Sequence, residues 1–292
     1  MRDVDYLRPE TVAEASALLA ELGEGGRLIA GGTALLLALR QRMVAPTHLV
    51  SLARVGGLRG ITYDPRDGLR IGALTTHSAL ARSAVVRAHY PVLADMAGRL
   101  ADPQVRNQGT LGGNLCYADP TTDPPTCLAA LDARLVLGSA RGDRSLPVTE
   151  FLVDYFTTAL HPDEILTGIR LPPPRFDLGH HARFHRTAAE HRPLINLTLL
   201  ARRDGDTVAE ARLVVGATTV VPTRVAAAEA FLAGRAVTAA VAREAADIVA
   251  DAVEPLSDLR GTAAFRRDML RVMARRSIER LMPPGMEGRE VA

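Results

Sequence analysis

The chain has 292 residues, 47% hydrophobic and 23% charged, so it is about twice a typical domain and has the apolar content for two or three compact units. Its formal charge is +2 with acids and bases interspersed, which argues against a nucleic-acid partner, and it contains no lysine, which excludes Schiff-base catalysis, the phosphate-loop lysine and the kinase lysine. Two cysteines, Cys116 and Cys127, cannot hold an iron-sulfur cluster or a cysteine-rich zinc site unaided, and no apolar run reaches the length of a membrane span; a soluble cytoplasmic protein is expected.

Thr11 and Glu14 have capping-box spacing, and Val12, Ala15, Leu18, Leu19 and Leu22 recur at helical intervals, so a helix is predicted that stops at the glycines from Gly23. Residues 27–30 form an apolar run into Gly31-Gly32. A helix over 34–42 and a strand over 47–52 follow, which together read as a small parallel unit. Residues 58–63 and 69–74 are predicted strands around an Asp67-Gly68 hairpin signal, and Pro91 opens a helix carrying Val92, Leu93, Met96 and Leu100. Strands are expected at 134–137, 146–148 and 165–171, and Pro172-Pro173-Pro174 marks a boundary. Beyond it come three antiparallel strands, at 182–187, 194–202 and 209–218, then helices near 224–233, 238–253 and 262–282, with fraying from Pro283. The domains expected are therefore 1–55, 56–174 and 175–292.

Two glycine pairs carry the chemistry: Leu28-Ile29-Ala30-Gly31-Gly32-Thr33-Ala34-Leu35 and Gly109-Thr110-Leu111-Gly112-Gly113-Asn114-Leu115. Consecutive glycines allow positive φ and remove Cβ, so successive backbone N–H groups can converge on an anion such as a pyrophosphate. Its charge would be met by those N–H groups, by a helix start after Thr33, by the hydroxyls of Thr33 and Thr110, and by an arginine. A plain tight turn is the competing reading for each pair, and neither pair is a G-x-G-x-x-G dinucleotide motif.

Ala30-Gly31-Gly32-Thr33, the run from Arg106 through Asn114, and Ala118-Asp119-Pro120 followed by Asp123 resemble the FAD-binding medium subunit of the molybdenum hydroxylases, a family that includes carbon monoxide dehydrogenase and the FAD domain of xanthine dehydrogenase. The resemblance spans essentially the whole chain. It implies an α+β, two-lobed FAD-binding fold of the PCMH/vanillyl-alcohol-oxidase type, followed by a three-stranded antiparallel sheet with a three-helix bundle, with FAD extended between the first two lobes. It further implies that Leu28 to Leu35 and Thr110, Leu111, Gly112, Gly113 and Asn114 wrap the pyrophosphate and ribityl chain. Asp123 would hydrogen-bond the adenosine portion, and Leu100, Leu166 and His185 would lie beside the flavin. His185 departs from the lysine or other polar residue the family often has there. The implied role is electron transfer: from a large molybdenum-binding subunit through a small iron-sulfur subunit to this FAD, then to NAD, a quinone or oxygen, in a heterohexamer of two heterotrimers. No catalytic acid or base is expected in this chain.

Other residues leave simpler alternatives open. Thr75-Thr76-His77 fits a cap as well as a segment near the cofactor. Cys116, two residues past the second glycine motif, fits a sulfur near the flavin or, more simply, a small core residue, and Cys127 reads as core packing. His180, His181, His185 and His191 lack metal-ligand spacing, so no metal is expected. Arg266, Arg267, Arg271, Arg275 and Arg276 read as a solvated helix face or a partner contact. The competing functions are a self-contained FAD oxidoreductase and a non-enzymatic nucleotide-binding module. H-E-x-x-H, G-x-S-x-G and phosphate-loop signatures are absent, which leaves hydrolase chemistry without an anchor.

Overall fold

The computed structural model describes residues 3–187 and 190–282, so the fraying expected from Pro283 lies outside the described residues. The chain forms two compact units, Met1–Asp119 with Asp132–Pro173, and Pro120–Leu131 with Pro174–Ala292.

The first unit opens with strand β1 (Asp5–Leu7) and helix α1 (Val12–Leu22). Thr11 caps α1 by accepting the Glu14 N–H at 3.1 Å, whereas the Glu14 carboxylate reaches the N–H of Glu10 at 2.8 Å, one residue before the usual capping-box partner. Gly23 ends the helix with φ 51°, a conformation that glycine adopts without Cβ strain. Strands β2 (Gly26–Ile29) and β3 (His48–Ser51) flank helix α2 (Leu35–Arg40), and both β1 and β2 pair parallel to β3. The parallel unit is therefore as the sequence predicts, with a third strand too short to show periodicity. Ala15 and Leu19 of α1 pack with Val50, Leu52, Leu74 and Ile165 in a buried cluster.

Next come the hairpin strands β4 (Ile61–Asp64) and β5 (Gly68–Gly72), with Asp64 accepting the N–H groups of Arg66 and Asp67 in the turn. Helices α3 (His77–Arg82), α4 (Ala84–His89), α5 (Pro91–Gly98), α6 (Pro103–Gln108) and α7 (Leu111–Tyr117) follow. Thr76, Ser83, Asp102 and Thr110 cap four of them with side-chain oxygens, and Pro91 and Pro103 sit in first turns. Helix α8 (Pro124–Ala130) belongs to the second unit. Strands β6 (Arg134–Ser139) and β7 (Gly142–Pro147), short helix α9 (Val148–Phe151), strands β8 (Leu152–Asp154) and β9 (Thr157–Thr158), and strand β10 (Ile165–Leu171) complete the first unit. Its larger sheet runs β4-β5-β10-β6-β7 and is antiparallel throughout.

In the second unit, strands β11 (Leu178–Phe184), β12 (Ile195–Asp204) and β13 (Thr207–Gly216) form the expected antiparallel meander. A fourth strand, β14 (Thr223–Arg224), joins its edge, so the sheet has four strands rather than three; two residues carry too little pattern to be read in sequence. Helices α10 (Ala226–Leu232), α11 (Ala239–Asp251) and α12 (Ala263–Glu279) cover the sheet, and Leu197, Leu199, Leu213, Val215, Val249, Leu270 and Ile278 share the core. Every residue of α8 is buried, and the helix packs on β12 and β13.

Two expectations are corrected here. Arg266 is not on a solvated face: it is 2% exposed, its guanidinium 2.6 Å from Asp258, with Nη1 reaching the carbonyls of Leu194 and Ala217. Cys116 is exposed rather than core, because its position in α7 faces outward, whereas Cys127 is buried.

Candidate functional site

The two glycine segments meet inside the first unit, backbone against backbone. A Cβ on Gly31 would lie 2.1 Å from the carbonyl oxygen of Gln108, and one on Gly113 would lie 3.8 Å from the Ala30 side chain. Gly31 is therefore required by close approach. Gly32 is required by conformation, with φ +71°.

The second pair works differently from the turn expected. Gly112 and Gly113 are not at positive φ; they form the first turn of α7, whose N-cap Thr110 accepts the Gly113 N–H at 3.1 Å. Glycine is needed there because a Cβ on Gly112 would lie 2.6 Å from Ala73 Cβ and 2.7 Å from its carbonyl oxygen. Thr110 has the residue type of a good cap, and the glycines after it hide the helix from periodicity analysis.

The second segment is fixed by an antiparallel run of bonds to residues 73–78. Gly112 N–H donates to Ala73 O at 2.8 Å, Leu111 N–H to Thr75 O at 2.9 Å, and His77 N–H to Gly109 O at 3.1 Å. Thr76 bridges Thr110, and the Ser78 hydroxyl meets Asn107 Oδ1 at 2.6 Å. Thr75-Thr76-His77 is thus partly the cap one reading expected, since Thr76 accepts the Ala79 N–H, and partly the strap that seats the second glycine segment. His77 is 2% exposed, and burial pushes its pKa down to about 4, so the imidazole is neutral at ordinary pH; its Nδ1 has no partner among the described residues.

The first segment is the more open of the two. Among the described residues, nothing accepts from the backbone N–H groups of Gly31, Gly32, Thr33, Ala34 or Leu35, whereas Leu36 N–H already donates to Gly32 O. Five consecutive donors without protein partners at a close-packed glycine turn form a cradle suited to an anion. Beside it is a cavity of about 250 Å³ lined by Ala30, Gly31, Arg59, Thr76, Gln108 and Thr110 among others. These residues fit the phosphate portion of a dinucleotide.

A profile of the FAD binding domain in molybdopterin dehydrogenase matches residues 2–174, and one of the CO dehydrogenase flavoprotein C-terminal domain matches residues 182–281. The chain belongs to the FAD-binding subunits of the molybdenum hydroxylases. It is 34% identical to the carbon monoxide dehydrogenase medium chain of Hydrogenophaga pseudoflava, over 94% of this chain and 95% of that one. It is 31% identical to the xanthine dehydrogenase FAD-binding subunit of Escherichia coli O157:H7, over 94% of each. Among solved structures, quinoline 2-oxidoreductase from Pseudomonas putida 86 superposes with a TM-score of 0.91 at 29% identity, covering 95% of this chain and 96% of that one. This FAD-binding subunit is accordingly an oxidoreductase component with the family's α+β fold.

The remaining residues expected at the site divide between the two units. Leu100, Leu111 and Leu166 are buried in the first, and Arg106 fixes the backbone beyond α5 by donating to the carbonyls of Leu100 and Ala101 at 2.9 and 2.7 Å. Leu166 lies in β10 where the register with β6 shifts. Asp123 and His185 lie in the second unit. Asp123 is 2% exposed; its Oδ1 accepts from His181 Nε2 and Asn196 Nδ2, both at 3.1 Å, and its Oδ2 is 3.2 Å from Arg183. His181 Nδ1 in turn meets the Thr198 hydroxyl at 2.8 Å. Burial pushes the Asp123 carboxyl upward, but the His181 hydrogen bond, the His181 and Arg183 charges and the Asn196 bond outweigh it and hold the pKa below the usual carboxylate value. His185 Nε2 is buried without a partner among the described residues, and burial, reinforced by Arg183, lowers its pKa.

Sequence reasoning missed Arg59 beside the Gly31 cavity in the first unit and, in the second, His181, Arg183 and Asn196 around Asp123. Asn196 and His181 reach Asp123 across 73 and 58 residues, so no local spacing marks them.

Proposed function

We propose that this subunit holds FAD in the cradle of Ala30 to Leu35 and the segment from Thr110 to Asn114, and relays electrons from a small iron-sulfur subunit to a terminal acceptor, NAD, a quinone or oxygen. The observation that carries this reading is the backbone contact of Gly31 with Gln108 beside five N–H donors without a partner among the described residues. Bound FAD would supply the redox chemistry; the chain supplies binding, orientation and electrostatics. The diphosphate is taken by the Gly31 to Leu35 donors, and the Thr110 cap keeps the second segment folded against it. Asp123, held by His181, Asn196 and Arg183, hydrogen-bonds the adenosine portion. Leu100, Leu166 and His185 border the flavin.

In this reading residues 1–55 and 56–174 act as the two FAD-binding lobes and 175–292 as the C-terminal domain. A large molybdenum-binding subunit oxidises the substrate, two heterotrimers make the assembly, and the complex is cytoplasmic. Relatives named for carbon monoxide, xanthine and quinoline share this subunit's fold, which supports assigning substrate choice to the large subunit. No described helix is long and apolar enough to cross a membrane. The test is the absorption spectrum of the purified chain before and after FAD addition, with identification of the released chromophore. Near one FAD per chain supports the reading, and a folded chain that stays colourless in excess FAD, alone and with co-expressed partners, overturns it.

A further inference from the structure

We propose that Arg59 supplies the fixed positive charge for the diphosphate of the dinucleotide, an inference that rests on the FAD reading above. A diphosphate carries two negative charges, and backbone N–H dipoles supply partial charge only. The chain has no lysine to complete the balance. Of the described residues lining the cavity beside Gly31 and Thr110, Arg59 alone is charged, and none is a carboxylate. The cavity, about 250 Å³, suits a polar fragment rather than a whole dinucleotide.

Arg59 is also held in place from both sides. Leu58 O accepts the Leu74 N–H at 2.7 Å, and Gly60 exchanges bonds with the Thr75 hydroxyl, its N–H donating at 3.3 Å and its carbonyl accepting at 3.1 Å. The guanidinium spends Nη1 on Leu74 O at 3.3 Å, and no described residue accepts from Nε or Nη2. Those two parallel donors are the fork that suits phosphate oxygens. Residue 59 lines the cavity beside Gly31 from the connection between β3 and β4, outside both glycine segments.

The experiment is a fluorescence titration of the full chain with FAD at two salt concentrations, on wild type, Arg59→Gln and Arg59→Lys, with melting curves for each and inorganic pyrophosphate as competitor. A charge-assisted pair predicts a roughly 10- to 100-fold weaker Kd for Arg59→Gln, the worth of about one charged hydrogen bond, with most of the loss restored in Arg59→Lys. Wild-type affinity should fall with salt and pyrophosphate should displace FAD. Both effects should fade in Arg59→Gln. Equal binding by Arg59→Gln overturns the proposal, as does Arg59→Lys binding no better than Arg59→Gln, which would leave Arg59 only its bond to Leu74. If Arg59→Gln does not fold, salt-independent wild-type binding that pyrophosphate cannot displace overturns it. A wild-type chain that binds no FAD defeats the FAD reading itself, whereas FAD binding indifferent to Arg59 defeats this inference alone.

Discussion

Gly31→Ala separates a cofactor cradle from an ordinary turn. The new Cβ would lie 2.1 Å from Gln108 O, 2.8 Å from its carbonyl carbon and 3.1 Å from Gly109 Cα, all backbone, so no rotamer change relieves it. The loops must part by more than an ångström to restore ordinary contact. Overpacking of this kind costs about 1–3 kcal/mol, which at this chain size is a fall of roughly 2–10 °C in the apo melting temperature. Displacing the loop also misaims the Gly31 to Leu35 donors. Losing two or three N–H bonds of about 1 kcal/mol each weakens FAD binding by roughly 30- to 150-fold. Gly56→Ala is the control, because a Cβ there meets nothing within 4 Å. Melting curves of the apo protein and fluorescence titration with FAD read the two effects. A Gly31→Ala protein with wild-type affinity and melting temperature would refute the claim that the two segments meet as described.

Three further outcomes are expected. His77 has a folded pKa of about 4 against an ordinary 6.5, so the unfolded chain takes up the proton first as pH falls; stability present above pH 6.5 is lost between about 6.5 and 4, on the order of 3 kcal/mol. His77→Asn should remove that slope in urea denaturation at pH 7.5 and pH 5, and an unchanged slope would assign it to other groups. Asp123, held below its ordinary value, contributes stability above pH 3.8 that is lost as pH falls through its folded pKa. Asp123→Asn should destabilise the second unit by about 3 kcal/mol at pH 7, with the gap closing below pH 4 in melting curves; a constant gap would mean the carboxylate charge is irrelevant. A fragment ending at residue 174 keeps the FAD-binding profile but strands α8, where burial of Leu128 alone is worth about 2 kcal/mol. It should aggregate in size-exclusion chromatography, and a monodisperse, FAD-binding fragment would contradict the division into units.

Much of the fold was legible because periodicity and caps agree with tertiary structure. Thr11, Pro91 and the Asp67-Gly68 turn each mark an element that forms. What escaped was either short or glycine-masked. β1 and β14 have three and two residues, below the length at which alternation can be seen. In α7, Gly112 and Gly113 have poor helix propensity, yet the packing of Ala73 leaves room for nothing larger, so tertiary contact overrides the local signal. Arg266 escaped for a related reason. A helical arginine reads as solvated until Asp258 and two carbonyls from other elements are seen around it.

The titratable groups near the candidate residues point to holding rather than reacting. A general acid or base needs a pKa near the working pH and access to the proton it moves. His77 is buried neutral, with its pKa pushed to about 4, within the strap that seats the second glycine segment. Asp123 is kept ionised by His181, Arg183 and Asn196. Glu164 is bound in a two-point pair with Arg144, whose hydrogen bonds lower its pKa and fix its position. Each is stabilised in one protonation state across the neutral range, which makes these groups poor proton shuttles and good fixed supports. A subunit that carries electrons through a bound dinucleotide requires that property, because donors and charges that do not rearrange keep the cofactor in one geometry from one transfer to the next.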